Sequence, residues 1–201
     1  MRCQQLLKAI WQRTSLSHSQ FKRIYLNPIE CYAELVQQFP ASESYHHAYF
    51  GGMLEHGLEI VAYALKYRQL YLLPISVSSE EQSASEIIWT AGIAYAALIH
   101  DIGKLAVDIH VKYQDGLIWH PWHGPLKAAY RFKYRKNHEY RLHSASTELL
   151  YRQIIDSKLL DWLSSCAELW SLFTYFVVGQ MELSGVVGEL VTKADQASVS
   201  Q

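Results

Sequence analysis

Thirteen consecutive residues without a charge, Ile87 to Ile99, run straight into His100-Asp101. The run is too short to span a bilayer and suits a helix buried at the centre of a helical bundle. It predicts a central helix over 85–100. The string Leu98-Ile99-His100-Asp101-Ile102-Gly103-Lys104 then sets an imidazole and a carboxylate side by side where that helix stops. A charge at such depth is costly unless it is paired or bound to a cation.

Other segments share the helical period. Over 52–71, Leu54, Leu58, Val61 and Leu65 form one stripe, and His56, Ile60, Tyr63 and Tyr67 form a second. Glu55, Glu59, Lys66 and Gln69 occupy the third, polar face, so the helix is expected to be buried on two sides. Asn27-Pro28 reads as an N-cap with proline in the first turn, opening a helix to about Phe39. His143, Thr147, Leu150 and Ile154 make another stripe headed by a histidine. In the last helix Val187, Val191 and Asp195 fall on one line. Ser76 to Ser85 reads as a surface loop. Between these helices, Val107, Ile109, Val111 and Tyr113 alternate with polar residues, and Asp115-Gly116 leads into Leu117-Ile118-Trp119. This predicts a β-hairpin over about 107–122. The fold class is therefore all-α with a small hairpin insertion.

The 201 residues suffice for one good-sized core, so a single domain over 1–201 is expected, with 1–26 as lead-in helices. A net charge of −1 excludes bulk basicity as a guide to partners. Cys3, Cys31 and Cys166 are odd in number and widely spaced, which suits a reducing compartment. No signal peptide is legible, and membrane insertion is not expected, so the location expected is the cytoplasm. The chain stops six residues after Asp195, inside its last helical pattern. That suggests a fragment of a longer protein whose C-terminal part is missing.

His56, His100 with Asp101, His143 and Asp195 share one oddity: each lies on or at the end of an apolar helical face. A lone buried histidine is ordinarily a core group bonded to a carbonyl. Together, the four make a nitrogen and oxygen ligand set drawn from separate helices. Imidazole and carboxylate without thiolate suit Mn, Mg, Fe, Ni or Zn in a partly open site. Such a site acidifies water and makes a nucleophile.

The pattern His56…His100-Asp101…Asp195, with His-Asp-Ile-Gly-Lys at 100–104, resembles the HD-domain metal-dependent phosphohydrolases. The resemblance implies an all-α bundle holding one or two divalent metals. His56, His100, Asp101 and Asp195 would be the ligands, and His143 would support that metal or a second one. Asp101 and Lys104 would carry the chemistry, the lysine meeting substrate phosphate. No histidine lies between Ser144 and Lys193, where some multi-metal members carry a further one.

A finer resemblance lies in Ala41-Ser42-Glu43-Ser44-Tyr45-His46-His47-Ala48-Tyr49-Phe50-Gly51-Gly52-Met53-Leu54-Glu55-His56. It is similar to a motif of the MobH-type conjugative relaxases, a group bearing a TraI-like helicase label, and of the HD-type 3′-to-5′ exoribonucleases. The hairpin, with Trp119, Pro121-Trp122 and Gly124, and the segment Tyr130 to Arg135 favour the relaxases. No G-x-x-x-x-G-K-[ST] string occurs, so the helicase label has no phosphate-cradling loop behind it here. His46 and His47 read as supporting or substrate-contacting groups, with a loop cap as the alternative. His120 and His123 read as hairpin or rim histidines.

Residues 127–141 carry six of the eighteen basic residues, which interleave with aromatics. Lys127, Tyr130, Arg131, Lys133, Arg135 and Arg141 are candidates for binding DNA, since basic groups meet phosphates and rings stack on unpaired bases. The plain alternative is a solvated strand or loop with its aromatics turned inward. The expected function is metal-dependent nicking of one DNA strand at an origin of transfer, with conjugation machinery as a further partner. The rivals are a nucleotide or RNA phosphohydrolase, and a non-catalytic DNA-docking module with a degenerate metal site. The attacking group is either water or a tyrosine.

Overall fold

The computed structural model describes residues 2–70, 79–136 and 142–199. Its helices are α1 (Arg2–Gln12), α2 (His18–Phe21), α3 (Asn27–Val36), α4 (Gly52–Arg68), α5 (Ser79–Ile99), α6 (Lys104–Val107), α7 (Leu142–Ser146), α8 (Ser157–Ser164), α9 (Ala167–Val177) and α10 (Gly185–Val199). Between α6 and α7 lie three short strands, β1 (Ile109–Tyr113), β2 (Ile118–Trp119) and β3 (Tyr130–Tyr134). The fold is all-α with a small antiparallel sheet, as the sequence pattern requires. No helix among the described residues is long and apolar enough to cross a membrane.

The uncharged run becomes the axis of the bundle. Every residue from Ala91 to Ile99 is buried, and α5 is enclosed by α4, α9 and α10. Gly92 is where α9 comes nearest: a Cβ there would fall 2.9 Å from the methyl carbons of Leu169. The helix ends at Ile99, so His100 and Asp101 project from the turn beyond it. From Ser79 to Ser85 the chain is already helical rather than loop, and residues 76–78 fall outside the described residues.

Three further boundaries differ from the sequence reading. Asn27 is not an N-cap. The helical path starts at Ser17, which forms a capping box with Gln20, and passes through a π-helical turn at Lys22–Leu26. Pro28 has no N–H to give and crowds the carbonyl one turn back, and a wider turn there relieves both. The helix stops at Val36 because Gln37 takes a positive φ of 49°, and Phe39 leaves it for an aromatic cluster. The stripe from His143 to Ile154 is not one helix: α7 gives way to 3-10 turns at Thr147–Leu149 and Tyr151–Gln153. Leu150 and Ile154 are nevertheless buried.

The insertion is larger than a hairpin. Val107 closes α6, and β1 pairs on one side with β2 and on the other with β3. Strand alternation sends Val111, Trp119 and Phe132 to the inner face, where Phe39 packs against Trp119, Tyr130 and Phe132 at centroid distances of 6.0, 5.5 and 5.3 Å. The aromatics between 130 and 134 are thus turned inward, away from Arg131 and Lys133.

Candidate metal centre

The first histidine is placed by a glycine pair. Gly51 takes a φ of +79° and starts α4. A Cβ on Gly52 would overlap the carbonyl oxygen of His47. Glycine there lets the loop 41–51 close over the helix, so that His47 and His56 lie 5.1 Å apart between ring centroids. His100 continues the row, 5.2 Å from His56.

Four side chains from α4, the turn after α5, and α10 converge. Nε2 of His56 lies 3.6 Å from Oδ2 of Asp101 and 3.6 Å from Oδ1 of Asp195. Nε2 of His100 lies 3.5 and 4.0 Å from the same two oxygens. The side chains of His56, His100 and Asp101 are 8%, 10% and 13% exposed, whereas that of Asp195 is 46% exposed. Of the four side chains, that of Asp195 is the one open to solvent.

The ring nitrogens are assigned by their partners. Nδ1 of His100 lies 2.8 Å from the Ala97 carbonyl and therefore carries the proton. Its Nε2 lone pair then faces the cluster, buried and without a hydrogen-bond partner. Burial and the neighbouring His100 push the His56 imidazole down to about 3, so His56 is neutral. Burial opposes the charged form of Asp101, but His100, Lys104 and His56 outweigh it and hold its carboxyl well below the usual range. Two imidazoles and a carboxylate, with an orphaned Nε2 among them, fit a divalent cation.

Support comes from a second set of residues. Ser198 donates a hydrogen bond of 2.5 Å to Glu59 and stands 3.4 Å from Nδ1 of His56. A hydroxyl that donates to Glu59 can accept from His56 Nδ1–H, which leaves the His56 Nε2 lone pair for the cluster. Glu59 also meets Arg2 at 2.5 Å and His47 at 3.3 Å. His47, His56 and Glu59 could themselves hold a metal ion, as could His56, His100 and Asp195. Glu59 is only 4% exposed, against the expectation of a polar outer face. Helix α1 covers that face and Ser198 approaches from α10. Neither Arg2, Glu59 nor Ser198 carries a periodic signal that distinguishes it from ordinary surface residues.

Lys104 lies 2.5 Å from Asp101 and donates to the Ala41 carbonyl at 3.2 Å. His143 is buried, and burial lowers its imidazole against the opposing pull of Asp101. It joins neither of the two ligand groups. Its backbone matters more plainly: a Cβ on Gly103 would overlap the His143 carbonyl oxygen, so glycine lets α7 press against the turn bearing Asp101. His47 is in the supporting set, whereas His46 is exposed. Lys127, Arg131, Lys133 and Arg135 are exposed, and Tyr130 is half-buried against Phe39. Arg141 lies outside the described residues. His120 stacks on Trp122 at 4.7 Å beside the sheet.

Residues 1–201 match a family model, TraI_2, described as "Putative helicase". No curated protein matches the chain.

Proposed function

This chain belongs to the TraI_2 family, and on that premise we propose that it is a metal-dependent DNA strand-nicking domain acting in the transfer of a mobile genetic element. The observation that carries the reading is the Nε2 of His100: buried, without a hydrogen-bond partner, and aimed with His56 Nε2 at two carboxylates. These are also the residues by which the chain resembles the HD hydrolases.

His56, His100, Asp101 and Asp195 would hold the ion. The absence of thiolate and the mix of imidazole and carboxylate suit Mn, Mg, Fe, Ni or Zn. Such an ion supplies Lewis-acid polarisation of a phosphoryl oxygen and acidifies water. Asp195, the one open to solvent, marks where a phosphodiester reaches the cluster. Lys104 holds Asp101 from the other side, and its ammonium offsets the charge that develops on the phosphate. With Nδ1 of His100 on the Ala97 carbonyl and Nδ1 of His56 beside Ser198, both Nε2 lone pairs would be left for the ion. His143 supports the turn that carries Asp101. The reading rests on phosphodiester chemistry and not on strand separation driven by a nucleotide.

The test is cleavage of single-stranded DNA beside mononucleotides, with Mn²⁺ and with a chelator. DNA cleavage that needs the metal and disappears in His100→Ala is the expected result. Hydrolysis of mononucleotides alone would overturn the DNA reading in favour of a nucleotide phosphohydrolase.

A further inference from the structure

The outer face of the three-stranded sheet carries an arrangement that a free-standing sheet avoids. Register places Lys112 directly opposite Arg131 and His110 directly opposite Lys133. Directly opposed residues project to the same side, so these four form one patch, with Ile118 of β2 beside Lys112. Like charges in cross-strand pairs are destabilising. Among the described residues, no acidic side chain forms an ion pair with Lys112, Arg131 or Lys133. Asp115, the nearest acid in sequence, caps the Leu117 N–H at the turn instead, at 3.0 Å.

The two faces are sorted by chemistry. Phe132, Tyr130 and Trp119 pack on Phe39, at the root of the loop whose Ala41 carbonyl receives Lys104. The inner face therefore packs on the segment that leads to Ala41, and the outer face points away from that packing. Lys112, Arg131 and Lys133 are exposed, and the outer positions of β1 and β3 carry no Phe, Tyr or Trp, His110 being the single ring among them. Unpaired bases are held by stacking on rings, whereas a duplex is held by cations on its phosphates. A lipid surface would need an apolar layer, and Ile118 is the single large apolar side chain among these outer positions.

We infer that this outer face is a docking surface for the phosphate backbone of double-stranded DNA, separate from the metal centre. Lys112 and His110 extend the contact beyond the basic segment after residue 127. Side chains two residues apart on a strand are about 6.8 Å apart, and the adjacent strand adds a second row. Such a grid meets phosphates without reading bases, so binding is independent of sequence. The inference rests on the nucleic-acid reading above but requires no metal.

The experiment is fluorescence anisotropy of a labelled duplex over a salt series, in the presence of a chelator. The full chain is compared with a variant carrying Lys112→Ala, Arg131→Ala and Lys133→Ala, and with His100→Ala. The triple variant should bind at least tenfold more weakly, and the slope of log K against log salt should fall by about 2.7, roughly 0.9 per cation removed. His100→Ala should bind as the parent does even when it cleaves nothing, which separates this inference from the nicking reading. A parental slope in the triple variant would overturn it, provided its circular dichroism is unchanged. So would duplex binding that vanishes with the chelator, or binding to phosphatidylglycerol vesicles in place of DNA.

Discussion

Ser198 and Glu59, 139 residues apart in sequence, are joined by a hydrogen bond of 2.5 Å beneath His56. The bond lets one hydroxyl face both a buried carboxylate and an imidazole nitrogen. It ties the last turn of α10 to the second turn of α4, and so fixes the ring that faces Asp101 and Asp195.

Removing that support should weaken metal binding while His56, His100, Asp101 and Asp195 all remain. Ser198→Ala and Glu59→Gln are each expected to lower Mn²⁺ affinity by roughly 10- to 100-fold. Calorimetric titration of the folded variants measures this. An unchanged affinity in both would show that His56 is oriented by packing alone.

Lys104 should separate binding from turnover. Lys104→Met removes the ammonium beside Asp101 while all four candidate ligands remain. DNA cleavage is expected to fall roughly 100-fold, the scale seen when one stabilising donor is lost. Metal content should be retained. Both quantities can be followed on one preparation, and equal cleavage would remove the lysine from the reaction.

Acid should destabilise the metal-free chain. Burial holds His56 at about 3 and lowers His47 and His143, so each takes up a proton more readily when unfolded. Their contribution is fully present above the unfolded value near 6.5 and is lost as pH falls from there toward the folded value. Asp101, also lowered, adds its loss only below the ordinary aspartate range. Urea midpoints of chelator-treated protein should therefore fall between pH 7 and pH 4. Midpoints that rise or stay level over that interval would contradict the buried, neutral state of these rings.

Phe39 should prove to be the pin of the insertion. It is fully buried and touches Trp119, Tyr130 and Phe132 from outside the sheet. Phe39→Ala is expected to cost about 3–5 kcal/mol in chemical denaturation. The near-ultraviolet signal of Trp119 should diminish with it.

Much of the site was legible because helical period and residue type are both local. His56, His100 and Asp195 interrupt apolar stripes and Asp101 follows one, but His143 heads a stripe too and joins neither ligand group, so phase nominated the candidates and the HD resemblance selected among them. Glu59 shows where that logic stops. Its position on α4 is the polar one, and only the arrival of α1 and Ser198 buries it. The third strand stood only as an alternative to a nucleic-acid path, for a similar reason. β3 pairs with β1 across a connection from Ile118-Trp119 to Tyr130 that no turn signal marks, and its alternation of rings and cations also suits a nucleic-acid segment. The π turn before Pro28 was hidden because Asn-Pro ordinarily opens a helix and here lies inside one.

The central claim is that His56, His100, Asp101 and Asp195 form a divalent-metal site. The most direct measurement is equilibrium dialysis of the purified chain against Mn²⁺, Fe²⁺, Ni²⁺, Zn²⁺ and Mg²⁺, with elemental analysis, beside a folded His100→Ala, Asp101→Ala variant. Stoichiometric retention of one of these ions by the parent chain, lost in the double variant, is the predicted result. No retained ion at saturating concentration, or equal retention by the double variant, would contradict it.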